Sequence, residues 1–259
     1  MQRQRFEHKY LLPESLAVEV RDFVSGFLEL DENGIGKPDF SYPVHSLYLD
    51  SDNLATYWMT INGDKNRFKL RLRFYSHSPN APVFFEIKRR MNNCMIKERG
   101  GVLQSAVPYL LDGYPPTADM LFSSDPKHDF AVRHFLELMR GLDARPKAHI
   151  AYQREAWVHP EHDEFRVTFD RHVRAEPRFS GNCSTEMQSP KYPFGKEVIL
   201  ELKFTNRFPD WFRALVQRFD LMQCGAAKYC EGVAQIGELR FGGHRQPNVS
   251  AISAASYFA

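Results

Sequence analysis

Alternation is the clearest pattern in the chain. Residues 68–74 run Phe-Lys-Leu-Arg-Leu-Arg-Phe, so Lys69, Arg71 and Arg73 share one parity and Phe68, Leu70, Leu72 and Phe74 the other. Successive side chains of a strand point to opposite faces, so this segment is a strand with one basic and one apolar face. The period recurs in 5–10, where Arg5, Glu7 and Lys9 oppose Phe6, His8 and Tyr10, and in 84–90, where Glu86, Lys88 and Arg90 oppose Phe85 and Ile87. It recurs again in 165–170, with Arg166, Thr168 and Asp170 against Phe165, Val167 and Phe169. In 197–204, Glu201 and Lys203 oppose Val198, Leu200, Leu202 and Phe204. Weaker strands are predicted over 44–50, 94–99 and 147–158.

Helical spacing follows three prolines, a residue suited to a helix's first turn. Leu16, Val20, Phe23 and Phe27 follow Pro13; Val132, Phe135, Leu136 and Met139 follow Asp125-Pro126; Phe212, Leu215, Val216 and Phe219 follow Pro209. Segments 31–43 and 174–196, rich in Gly, Pro, Ser and Asn, are predicted as long loops, and 248–259 as a loose tail. The expected organisation is one α+β domain over residues 1–241, built on an antiparallel sheet with amphipathic helices over its apolar faces, and a C-terminal tail over 242–259.

A solvated surface is the ordinary destination of a charged strand face. Three features argue for an enclosed one. Lys69, Arg71 and Arg73 stand in a row with no acid between them, whereas a solvated face usually mixes signs. A Glu-x-Lys dyad occurs at Glu7/Lys9, Glu86/Lys88 and Glu201/Lys203, each between apolar residues. Arginine is also frequent, and its planar fork suits phosphate. Closing the sheet would turn these faces inward and converge cations on an axial cavity. A linear phosphate chain matches such a cavity in shape and charge, and interleaved glutamates suit a hard divalent cation. On this reasoning Arg71→Ala relieves repulsion and leaves thermal stability unchanged or raised.

Composition narrows the classes. The net charge is only +2, so any electrostatic specialisation is local, and no exposed basic stripe points to nucleic acid. Four cysteines with no CxxC pair fit a reducing, cytoplasmic setting. No apolar run has the form of a signal peptide or a membrane span. Zinc motifs, Walker A and kinase glycine-rich loops are absent from the sequence. Cys224 and Cys230 fit structural thiols, Asp50 and Asp52 fit turn chemistry, and Trp211 and Phe212 fit core. Tyr48 and Tyr152 fit sheet packing, with stacking on an adenine as the alternative.

The ordered motifs resemble the VTC domain, the polyphosphate polymerase branch of the CYTH-like triphosphate tunnel metalloenzymes, over about residues 3–240. They are Phe6-Glu7-His8-Lys9-Tyr10, Ser46-Leu47-Tyr48-Leu49-Asp50, Leu70-Arg71-Leu72-Arg73-Phe74-Tyr75, and Phe85-Glu86-Ile87-Lys88 with Lys97. Later come Tyr152-Gln153-Arg154, Arg166-Val167-Thr168-Phe169-Asp170, Leu200-Glu201-Leu202-Lys203 and Lys228-Tyr229. The resemblance implies a closed eight-stranded antiparallel β-tunnel with a basic interior. It also implies transfer of the γ-phosphate of ATP to a growing inorganic polyphosphate chain with Mn²⁺ or Mg²⁺. By position, Lys9, Arg71, Arg73, Lys88, Lys97, Arg154, Arg166 and Lys228 would contact phosphates, with Lys69, Arg99 and Lys203 in support. Glu201 would hold the metal, with Glu7 and Glu86 assisting it or tuning neighbouring lysines. The related triphosphatases open with Glu-x-Glu-x-Lys, where this chain has Arg5-x-Glu7-x-Lys9; one acid fewer favours transfer over hydrolysis. Hydrolysis of tripolyphosphate or nucleoside triphosphates, and non-catalytic polyphosphate binding, remain the alternatives. The sequence sets no oligomeric state.

Overall fold

The structure is a computed structural model describing residues 5–92, 94–162 and 164–242. Nearly all of the predicted tail, residues 243–259, lies outside the described residues.

Each alternating segment is a strand. They are β1 (Arg5–Leu12), β3 (Ser41–Asp50), β4 (Asn66–Phe74), β5 (Val83–Met91), β6 (Cys94–Val102), β7 (Arg145–Val158), β8 (Phe165–Pro177) and β9 (Val198–Thr205). A two-residue strand, β2 (Glu29–Leu30), pairs with the end of β7. The order β7-β3-β4-β5-β6-β1-β9-β8 returns to β7, giving a closed ring of eight strands, antiparallel at every pairing. Closure leaves no free edge in the ring and forces one face of every strand inward.

Parity decides which face that is. Leu70, Leu72, Phe85 and Ile87 point outward and are fully buried beneath α4 (Pro126–Gly141), through Val132, Phe135, Leu136 and Met139. On the other side Leu200, Leu202, Val167 and Phe169 meet α1 (Glu14–Val24) and α5 (Asp210–Arg218), through Ala17, Val20, Phe212 and Leu215. These are the three proline-led helices. Asp125 also caps α4, accepting from the Lys127 amide at 2.9 Å.

Three further helices lie outside the predicted segments: α2 (Ala55–Ile61), α3 (Val107–Leu111) and α6 (Lys228–Ile236). Helix α6 does not cover the outside. It lies against the inner faces of β3, β7 and β8, with Tyr229, Cys230 and Val233 packed among Val44, Tyr48, Ile150 and Ala175. Gly232 makes this approach possible, since a Cβ there would sit 2.8 Å from the Ala175 Cβ. Tyr229 stacks on Tyr48, and its hydroxyl donates to Asp50, which also accepts from the Thr56 and Tyr57 amides opening α2. Asp50 thus does the turn and capping work expected of it, and Asp52 pairs with Lys147 at 2.5 Å.

Strand β8 runs on to Pro177, into the predicted 174–196 loop, and β3 begins at Ser41, inside the predicted 31–43 loop. In β8 the register shifts near His172, which adopts φ 52°, so alternation breaks and Ala175 turns onto α6. A period-two pattern cannot follow a strand through such an irregularity.

Candidate active site

The cross-strand register builds the inner surface in rows. Lys69, Lys88 and Lys97 lie side by side across β4, β5 and β6; Arg71, Glu86 and Arg99 form the next row; Arg73, Phe84 and Gly101 the one after. Like charges in adjacent positions repel, and acids relieve the repulsion. Glu86 is clasped by three arginines. Arg71 donates to its Oε2 from Nε and Nη2 at 2.8 and 2.6 Å, Arg99 lies 3.3 Å away and Arg73 3.9 Å. Burial would raise the Glu86 carboxyl, but Arg71, Arg73, Lys97 and Arg99 outweigh it and hold the carboxyl well below its usual range. Tyrosines steady the arginines: Arg71 Nη1 donates to the Tyr48 hydroxyl at 3.2 Å, and Arg73 Nη2 to Tyr152 at 3.0 Å and Ser46 at 3.2 Å.

A second cluster centres on Glu201. Lys203 lies 2.7 Å from it, Lys228 3.0 Å, Lys9 3.3 Å and Arg154 3.4 Å, and the Thr168 hydroxyl donates at 3.3 Å. Arg154 grips Asp170 through two hydrogen bonds of 2.7 and 2.8 Å, and Lys228 reaches the same carboxylate at 2.6 Å. Glu7 pairs with Lys9 at 3.1 Å and Lys88 at 3.2 Å. Burial alone would raise Glu201, Asp170 and Glu7, yet the surrounding cations lower all three. Burial also lowers the Lys203 ammonium below the usual lysine value.

Lys69 donates to Thr60 of α2 at 2.6 Å, and Arg166 pairs with Asp31 at 2.8 Å and reaches the Tyr42 hydroxyl at 3.4 Å. Lys97 is exposed as a side chain, but the protein crowding its ammonium strips water from it. That desolvation, with repulsion from Arg99, Arg71 and Arg73, outweighs Glu86 and pushes Lys97 down to about 8.

The structure therefore gathers all eleven basic residues named from the sequence onto the inner surface or its rim, against the carboxylates Glu7, Glu86, Asp170, Glu201 and Asp31. The surplus is positive and built for an anion. Two refinements follow. Every acid on the face is ion-paired, which relieves part of the repulsion among the cations. Tyr48 and Tyr152 are not free to stack on a base, since Tyr48 lies on Tyr229 and Arg154 and Lys228 lie over the Tyr152 ring. Asp170 had no assigned role in the sequence, although its parity with Arg166 and Thr168 signalled the inward face. Ser46 and Thr60 gave no such signal.

Among the described residues, no three acid, histidine or cysteine side chains converge into a self-sufficient metal cage. The donors present are Glu201 and Asp170, joined through Lys228, and Glu7, joined to Glu201 through Lys9; all are hard oxygens. Such a set fits Mg²⁺ or Mn²⁺ in the manner these ions favour, on one or two carboxylates with substrate phosphates completing the shell. Glu86 sits with its arginines in a separate partner set.

A closed antiparallel ring with a cation-rich inner face defines the class of tunnel-fold anion-binding proteins. The chain belongs to the VTC domain family, whose model matches residues 4–236. No curated protein matches the sequence. Among solved structures, the chain is similar to a putative adenylate cyclase from Bacillus halodurans at 11% identity and TM-score 0.46, covering 86% of this chain and 93% of that one. It is similar to the PH1819 protein of Pyrococcus horikoshii OT3 at 11% identity and TM-score 0.43, covering 90% and 99%. No helix among the described residues is long and apolar enough to cross a membrane.

Proposed function

We propose that this chain is an ATP-dependent polyphosphate polymerase. The observation that carries the proposal is the cation-rich inner face of a VTC-family ring, with Glu201 held among Lys9, Lys203, Lys228 and Arg154. In the reaction, a terminal phosphate oxygen of the polymer attacks the γ-phosphorus of ATP. The bond from that phosphorus to the β–γ bridging oxygen breaks, and ADP leaves. The acceptor oxygen is already anionic, so no side chain must take a proton. The protein's task is to align donor and acceptor and to stabilise the equatorial oxygens.

Arg71 and Arg73 present forked donors held by Tyr48, Tyr152 and Ser46, while Lys9, Lys88, Lys97 and Arg154 supply charge from the other strands and Lys228 from α6. Arg166, tied to Asp31, would meet phosphate at the rim. Mg²⁺ or Mn²⁺, held by Glu201 with Asp170 or Glu7 beside it, would neutralise phosphate oxygens.

The test is incubation with ATP and Mn²⁺, with polymer resolved on a gel and ADP and free phosphate quantified. Polymer and ADP with little free phosphate, all lost in Glu201→Gln, is the expected result. ADP with stoichiometric free phosphate and no polymer would make the chain a hydrolase. Neither product, with ATP or polyphosphate still raising the melting temperature, would make it a binding module.

A further inference from the structure

On the β4–β6 side of the ring, the inner surface changes chemistry beyond Arg73. On β4 the inward line runs Lys69, Arg71, Arg73 and then Tyr75, the residue just past the strand. The neighbouring strands do likewise at the same end. On β3 the line outward from Tyr48 and Ser46 ends at Tyr42, and on β5 Phe84 stands opposite Arg73. The three rings form one group, with centroids 6.4 Å apart for Tyr42 and Tyr75 and 6.3 Å for Tyr75 and Phe84. Arg99 lies over the Phe84 ring, its Cζ 3.4 Å from the centroid. Gly101 is the cross-strand neighbour of Phe84, and a Cβ there would come within 3.1 Å of the Phe84 ring. Tyr75 is 37% exposed, so this group opens to solvent and is not core.

An aromatic rim next to an arginine row has the chemistry of a base-stacking platform. Every nucleobase has a π-face, and both aromatic rings and guanidinium planes stack on it. The spacing agrees: Tyr75 lies four residues beyond Arg71, about 13 Å along the strand, a span of the order of a ribose with its phosphates. We propose that Tyr42, Tyr75, Phe84 and Arg99 hold the purine base of a nucleoside triphosphate whose phosphates run inward past Arg73 to Arg71. The inference rests on the triphosphate reading of the same interior and adds the end from which the nucleotide enters. Recognition by stacking alone makes the site tolerant of the base, so GTP binds nearly as well as ATP.

The test is calorimetric binding of ATP and of inorganic tripolyphosphate to the full chain and to Tyr75→Ala and Tyr75→Phe, with melting temperatures as the folding control. Loss of one stacked ring predicts ATP binding weakened about tenfold in Tyr75→Ala. Tripolyphosphate affinity stays unchanged, and Tyr75→Phe restores ATP binding. Equal weakening of both ligands, or of neither, overturns the assignment. Tripolyphosphate binding without ATP binding by the unaltered protein also overturns it while leaving the interior a polyanion site. Binding of neither ligand refutes the triphosphate reading and this inference with it.

Discussion

Replacing Arg71 by alanine separates a cavity of opposed cations from one that is internally paired. Were the basic row unrelieved, removing one guanidinium would lessen repulsion, and the ligand-free protein would melt at the same temperature or higher. The ion pairing of Arg71 argues for the opposite outcome. Arg71 gives two hydrogen bonds to Glu86, whose carboxylate is 1% exposed, and a third to Tyr48. Alanine leaves that carboxylate with Arg99 at 3.3 Å and Arg73 at 3.9 Å. Removing one partner of a buried pair generally costs about 3–5 kcal/mol, and the two remaining arginines place this case near about 3 kcal/mol. For a chain of this length each kcal/mol moves the melting temperature by about 2–4 °C, so a fall of about 6–12 °C is expected. Thermal melting of ligand-free Arg71→Ala measures it. An unchanged or raised melting temperature in the single variant would refute the paired interior.

Three further outcomes follow from the geometry. Leu72→Ala, on the fully buried outer face beneath α4, should destabilise by about 2–5 kcal/mol in chemical denaturation with no change in tripolyphosphate affinity. Lys97, pushed down to about 8, should take up a proton when a polyanion binds, so affinity for tripolyphosphate should fall as pH rises above 8 and the fall should be shallower in Lys97→Met. On the outer face, the buried His45–His149 pair, 3.0 Å apart, has its imidazoles lowered to about 4 and about 2, by burial first and by nearby arginines next. The unfolded chain binds these protons below about pH 6.5 and the folded chain does not, so stability falls with acidification from 6.5 towards 4, by up to about 1.4 kcal/mol per pH unit for each histidine. His45→Gln should flatten denaturation midpoints across that window.

Much of this molecule was legible because alternation and charge coincide. On β4 and β5 one parity carries Lys69, Arg71, Arg73, Glu86 and Lys88 and the other the buried Phe68, Leu70, Leu72, Phe85 and Ile87, so strand, face and site followed together. Where the two signals part, legibility failed. Helix α6 is amphipathic in an unusual sense, with Lys228 in an ion-paired interior and Tyr229 and Val233 in an apolar one, so its pattern did not announce a helix entering the ring. Ion pairing was equally hidden. Glu86 and Arg71 are 15 positions apart and meet only through the β4–β5 register, and Lys228 and Glu201, 27 apart, meet only because α6 enters the ring.

That pairing bears on how such an interior works. A bare ring of cations would be hard to fold, since each buried charge without a partner loses hydration worth several kcal/mol. Glu7, Glu86, Asp170 and Glu201 remove that difficulty by acting as stand-ins for ligand oxygens, holding the arginine forks and lysine ammoniums in place before any phosphate arrives. A phosphate chain entering the ring then exchanges one set of oxygen partners for another, with little reorganisation of the cations. Arg71 illustrates the exchange, because its Nη1 bonds only the neutral Tyr48 hydroxyl while Nε and Nη2 stay on Glu86. Its Nη1 can donate to a phosphate oxygen without surrendering the anchor on Glu86. The carboxylates therefore serve the fold and the chemistry together. Neutralising Glu86 by glutamine should loosen Arg71 and Arg73 and weaken tripolyphosphate binding, even though it removes a negative charge from an anion site. Tighter binding in Glu86→Gln, measured by calorimetry at constant salt, would show that the carboxylate merely competes with the ligand and would refute this account.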